Sequence, residues 1–227
     1  MMQSEQARRA YLRAMGIDVW IPRDQVDVEP GCAEAGSQTV SGDLGWEGLR
    51  NAVAACTRCR LHESRTQTVF GVGNPAADWM FIGEAPGAEE DRRGEPFVGR
   101  AGKLLDEMLL AIGEKRDSVF IANILKCRPP NNRDPRPDEA ASCRPYLERQ
   151  IELVQPKIIL AVGRIAAQQL LQSDAPVGRL RGKVHQLDAI PLVVTYHPAY
   201  LLRSPSQKRK SWDDLCLARR VMAGAAE

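Results

Sequence analysis

Four of the six cysteines in this 227-residue chain fall into two groups that could hold a metal. Cys56 and Cys59 lie three positions apart in "CTRCRLHESR", Cys127 closes "IANILKC", and Cys143 follows in "EAASCRP". Four thiolates suit a tetrathiolate site for zinc or for an iron–sulfur cluster. C-x₂-C alone fills half a site, and the second pair is spaced more widely than a zinc knuckle. Arg58, Arg60, Lys126, Arg128 and Arg144 stand beside the candidate ligands, where they offset the roughly −2 charge of such a centre. No thioredoxin-like βαβ pattern follows the C-x-x-C, which argues against a redox dithiol. Four unrelated core thiols are the plainer alternative. Cys32 and Cys216 are not obvious partners.

A second set of residues stands where apolar runs stop. Glu84 ends the first run and opens "GEAPGAEEDRRGEPFVGRAGKLL", which also carries Glu89, Glu90, Asp91 and Phe97. A ring in a Gly/Pro-shaped loop can stack on a flat base, although Phe97 also reads as core. Neither this loop nor "GRLRGKV" fits the phosphate-cradling patterns G-x-G-x-x-G or G-x-x-x-x-G-K-[ST]. Asn123 sits inside "IANIL", where an amide is costly unless satisfied and can read a base edge. His197, one of three histidines, ends the last run and could donate to a charge developing in a reaction. Beyond it, Leu201 and Leu202 look exposed beside Arg203 and the run Lys208, Arg209, Lys210. A charge run is often only a solvated face. Next to an apolar wedge it points to DNA backbone contact with side-chain insertion.

The elements that must position these residues are legible. The runs 79–83, 119–125, 157–163 and 191–196 are short and almost continuously apolar, as strands buried on both faces of a parallel sheet are. Helical patterns separate them: Leu104, Leu105, Met108, Leu109 and Ile112 form one stripe, and "PDEAASCRPYLERQIELVQP" opens with Pro and acids. The expected fold is a three-layer α/β/α domain with a four-stranded parallel sheet, which binds ligands beyond the carboxyl ends of its strands. A short amphipathic helix is expected over 4–16 and a polar, Gly-rich linker over about 23–45. The chain thus divides into 1–43 and a compact domain over 44–227. With 44% apolar and 26% charged residues and no run near the ~20 residues of a membrane span, a soluble cytoplasmic protein is expected. A net charge of +2 says nothing by itself about nucleic acid.

Taken together, "CTRCRLH", "VFGVGNP", "GEAPGAEEDRRGEPFVGRAGKLLDEML", "NILKCRPPNNRDPRPDE", "AVGRIAA" and "HPAYLLR" resemble the family 4, iron–sulfur uracil-DNA glycosylases over residues 49–215. The resemblance implies a monomer that flips uracil out of single- or double-stranded DNA. It would hydrolyse the N-glycosidic bond as a base-excision repair enzyme. A [4Fe–4S] cluster would sit on Cys56, Cys59, Cys127 and Cys143. Phe97 would stack on the base beside Ala85, Asn123 would read its edge, and His197 would hydrogen-bond O2 of the leaving uracil. Glu84, supported by Glu90 and Asn132, would place the water. Leu201, Leu202 and Arg203 would fill the gap left in the duplex, with Lys208, Arg209 and Lys210 on the backbone. Family 1 relatives carry Asp where this chain has Ala85, so the carboxylate that activates water there is missing. A non-catalytic or differently specific damage-binding member of the superfamily is the alternative.

Overall fold

A computed structural model of the chain describes residues 44–224. The expected helix over 4–16, Cys32 and all but the last two residues of the expected linker lie outside the described residues. The first element, α1 (Trp46–Ala54), leads through the Cys56–Cys59 loop and a 3₁₀ turn (Arg60–Glu63) to β1 (Val72–Gly73) and β2 (Trp79–Gly83). After β2 come α2 (Ala88–Arg93), α3 (Arg100–Ala111), β3 (Phe120–Asn123), α4 (Pro137–Val154), β4 (Ile158–Val162), α5 (Arg164–Leu171) and α6 (Val177–Leu180). Next are β5 (Val184–Leu187), β6 (Ile190–Thr195), α7 (Pro198–Arg203) and α8 (Lys208–Met222). Among the described residues no helix is long and apolar enough to cross a membrane.

The sheet runs β1-β3-β2-β4-β6-β5. Its four central strands are parallel and are the four expected ones, but β1 and β5 add antiparallel edges. The expected four-stranded sheet is therefore corrected to a six-stranded mixed one. The two edge strands escape a reading based on apolar runs for a physical reason. β1 is two residues long, and β5 alternates exposed with half-buried positions because no helix layer covers it fully.

Successive strand residues face opposite layers. Met80, Ile82, Ala122, Ile159 and Val194 join a core with residues of α1, α4 and α5. Phe81, Ile121, Leu160 and Val193 join another with residues of α3, α7 and α8. Leu201 of α7 lies in that second core, only 1% exposed. The sequence reading took it as exposed, and this is corrected: α7 turns Leu201 inward and leaves Leu202 outside.

The start of α8 is fixed by a buried ion pair. Asp214 is fully buried and accepts from Arg181 Nε at 3.0 Å and from the Gly182 amide at 3.1 Å. Arg181 Nη2 also donates to the Lys210 carbonyl at 2.5 Å. Burial holds the Asp214 carboxyl above its ordinary range despite the guanidinium. The pair is thus costly to bury, and removing one partner strands the other. Asp214→Ala is expected to lose about 3 kcal/mol in urea unfolding, because Arg181 remains with no carboxylate. A loss below about 1 kcal/mol would mean the pair is not holding α8.

Candidate active site

Parallel pairing sets the carboxyl ends of β2, β3, β4 and β6 side by side. Gly83 is opposite Asn123, and Val162 is opposite Thr195. The ladder continues past β3, where Ile124 and Leu125 amides donate to the Gly83 and Glu84 carbonyls at 3.0 Å each. Glu84, Asn123, Gly163 and His197 therefore rim one cleft of about 810 Å³, together with Ala85, Glu90, Phe97, Asn132 and Arg203. Of the expected site residues, these are brought together; Lys208, Arg209 and Lys210 are exposed on the start of α8, outside the cleft lining.

The innermost part of the cleft depends on a missing side chain. A Cβ on Gly83 would lie 2.5 Å from Asn123 Oδ1 and 2.6 Å from Phe97 Cζ. The amide and the ring thus share the space that glycine leaves. Asn123 is 3% exposed and its Oδ1 has no hydrogen-bond partner. An orphaned buried acceptor costs roughly 1–3 kcal/mol, which a ligand carrying an N–H would recover.

Phe97 itself stands at φ 55°, in the left-handed region that a bulky residue rarely adopts. Three contacts hold it there. Arg116 donates to the Pro96 carbonyl at 2.6 Å and the Phe97 carbonyl at 3.2 Å, and pairs with Asp106 at 3.0 Å. Glu90 Oε1 accepts from the Val98 amide at 3.2 Å and the Gly99 amide at 3.4 Å, at the start of α3. Gly102 lets the helix approach, since a Cβ there would fall 1.6 Å from the Phe97 carbonyl oxygen. Glu90 is thereby engaged in fastening the loop, while its neighbour Asp91 is buried and accepts from the Thr66 amide.

His197 caps α7. Its Nδ1 accepts from the Ala199 amide at 3.1 Å, which places the proton of a neutral ring on Nε2. Burial, with Arg203 adding to it, lowers its pKa to about 4, so the ring is neutral at physiological pH. The imidazole lies nearly parallel to Phe97, 5.5 Å away at 28°. Gly163, at φ 98°, admits the histidine because a Cβ would meet His197 Cβ at 2.9 Å.

Glu84 has its pKa raised to about 6, first by burial and then by Asp134, against Arg164. Asp134 and Arg164 form an ion pair at 2.5 Å on the same rim, and Asn132 accepts from Arg128 Nε at 2.8 Å. Sequence reasoning did not single out Asp134 or Arg164. Both stood in quoted motifs, but only the fold brings the turn before α4 and the first residue of α5 to Glu84.

The other candidate centre lies between α1, the end of β3 and α4. Cys56, Cys59, Cys127 and Cys143 line one small cavity with Arg65, Lys126 and Tyr146. Arg65 Nη1 donates to Cys127 Sγ at 3.1 Å and the Lys126 amide to Cys143 Sγ at 3.3 Å. Burial pushes the Cys143 thiol up to about 12 and raises Cys59 and Cys127 as well. Among the described residues no three His, Cys, Asp or Glu side chains converge closely enough to hold a single ion. Four thiols lining one cavity are the donor set of either a zinc site or an iron–sulfur cluster. Lys126 is almost wholly buried, and its Nζ donates to the Asn123 carbonyl at 2.9 Å and to Gln150 Oε1 at 2.5 Å. One residue thus touches both the thiol cavity and the strand end that carries Asn123.

Comparison with known proteins gives the family. Residues 70–217 match the family described as "Uracil DNA glycosylase superfamily". The chain is 45% identical over 170 residues to the Type-4 uracil-DNA glycosylase of Archaeoglobus fulgidus, covering 71% of this chain and 85% of that one. It is 44% identical over 158 residues to the Type-4 uracil-DNA glycosylase of Thermotoga maritima, covering 69% and 82%. At that identity and coverage, with strand-end residues converging on one cleft beside a four-thiol cavity, the chain belongs to the uracil-DNA glycosylase superfamily and, within it, to the type-4 group.

Proposed function

We propose that this protein excises uracil from DNA by hydrolysing the N-glycosidic bond, leaving an abasic site for base-excision repair. The observation that carries the proposal is the orphaned Asn123 Oδ1 beside the Phe97 ring and a neutral His197. Uracil presents an N–H at position 3 that would satisfy that oxygen, and a carbonyl O2 that would accept from His197 Nε2–H. Phe97 offers a flat apolar surface for a base taken out of the stack.

In the reaction, water oxygen bonds to C1′ as the C1′–N1 bond breaks. Its electron pair moves into the base, and charge builds on O2. His197 donates a hydrogen bond there without being protonated in advance, so its donor is ready throughout the neutral range. Glu84 accepts the proton that the water loses, and Arg164 and Asn132 orient that corner of the cleft. At the cleft wall Arg203, and outside the cleft Leu202, contact the opened duplex, and Lys208, Arg209 and Lys210 lie along the phosphates. Leu201, being buried, shapes α7 from beneath.

Cys56, Cys59, Cys127 and Cys143 would hold a [4Fe–4S] cluster. When bound, it supplies a covalent staple joining α1, the end of β3 and α4, not chemistry at the base. Arg65 and Lys126 offset its charge, and their N–H···S contacts suit thiolates already turned toward a metal.

The direct test is release of free uracil from a uracil-containing oligonucleotide by the purified protein. His197→Ala is expected to keep DNA affinity and lose two to three orders of magnitude in single-turnover rate, roughly the scale for one donor to a developing anion. Normal cleavage by that variant would remove His197 from the mechanism. Because the Glu84 carboxyl titrates at about 6, the rate is expected to rise with pH through that value and then level. Glu84→Gln should abolish this limb, and its persistence would exclude Glu84 as the proton acceptor. His197, at about 4, adds no limb above pH 5. As-purified protein is expected to be yellow-brown, with broad absorbance around 400 nm, and Cys56→Ala to lose it. A colourless protein with one equivalent of zinc would overturn the cluster assignment.

A further inference from the structure

Trp212 stands 44% exposed on the second turn of α8. Around it the helix is otherwise tightly held. Ser211 and Leu215 are 2% exposed, and Asp214 is buried against Arg181. The backbone beneath the indole is therefore locked, while its ring points away from the core. On the same outward stripe lie Lys208 and Arg209, one turn earlier, and the next residue, Asp213, is exposed too. A short turn joins this helix to the end of α7, where Arg203 lines the cleft and Leu202 is exposed beside it.

A single exposed apolar side chain needs no explanation. A rigid indole set one turn beyond two exposed cations that form no ion pair among the described residues, on the helix that follows the cleft wall, is a different arrangement. Cations track a phosphate backbone, and an aromatic face stacks on any base whose own face is open. Bases within a duplex have both faces covered by neighbours, so this surface suits an unpaired strand. We propose that Trp212 with Lys208 and Arg209 forms a binding site for single-stranded DNA, stacking one unpaired base beside the cleft. This rests on the uracil-excision reading, with which it shares Lys208 and Arg209, but Trp212 gives it a readout of its own.

The test compares the full-length protein with Trp212→Ala and Trp212→Phe, binding a uracil-free oligonucleotide as a single strand and as its duplex. Trp212→Ala is expected to weaken single-strand binding by roughly 5- to 150-fold, the span of one lost base–aromatic stack. Duplex affinity should change less than twofold, and Trp212→Phe should retain most of the single-strand affinity. Single-turnover uracil release at saturating Trp212→Ala should match the parent. Equal losses on both DNA forms, or none, would overturn the proposal. So would a Trp212-dependent dimer in sedimentation with unchanged DNA affinity, which would make the patch a contact between copies. If the parent protein releases no uracil while the single-strand preference still depends on Trp212, the excision reading fails and the stacking site stands.

Discussion

The parallel hydrogen-bond ladder from β3 through β2 and β4 to β6 is the constraint on which the site depends. Parallel strands end on one side of a sheet, so Glu84, Asn123, Gly163 and His197 reach the same rim although up to 113 positions separate them, from Glu84 to His197. A slip of one residue in β3 would turn Asn123 to the opposite face and pull its amide away from Phe97. Burial on both faces makes such a slip expensive, because Ile121 and Ala122 are each fully buried in different cores. The apolar layers thus fix the geometry of the cleft, and Phe97 belongs to one of them.

Glycine works with that ladder as a spacing device. Gly83, Gly102 and Gly163 each stand where a Cβ would come within 3 Å of a site residue: Asn123 and Phe97, the Phe97 carbonyl, and His197. At these three points backbone approaches side chain directly. The Phe97 loop carries its strained φ because Arg116, Glu90 and Gly102 over-determine it, and strain of this kind is sustained only under such support. The same desolvation sets the charges. It keeps His197 neutral and holds Glu84 partly protonated near neutrality, so a donor and a proton acceptor coexist in one cleft.

Lys126 links this cleft to the thiol cavity. It is a buried cation with its pKa lowered to about 8 by burial, against the pull of Cys143. Its backbone amide reaches Cys143 while its ammonium reaches the Asn123 carbonyl and Gln150, which in turn donates to the Phe70 carbonyl at 2.8 Å. A metal centre holding Cys127 and Cys143 would stiffen the segment that follows Asn123. That is a physical reason for a staple so close to a recognition strand.

Much of this was legible in the amino-acid sequence. The four central strands announced themselves because strands covered on both faces must be continuously apolar, and α3 and α4 because an amphipathic helix repeats every three to four residues. Glu84, Asn123 and His197 were picked out because polar residues at the ends of such runs are anomalous, and the four cysteines by residue type and basic neighbours. The rest required the fold. β1 and β5 leave little pattern, since an edge strand needs only one covered face. Leu201 and Leu202 are adjacent and chemically alike, and only the rotation of α7 against α3 decides that one is core and the other surface. Asp134 and Arg164 meet at Glu84, and Arg116 meets the Phe97 loop, across chain separations that no local periodicity encodes. Sequence pattern reports what each segment must bury; which side chains then share a cleft is settled by long-range strand pairing and close backbone approach.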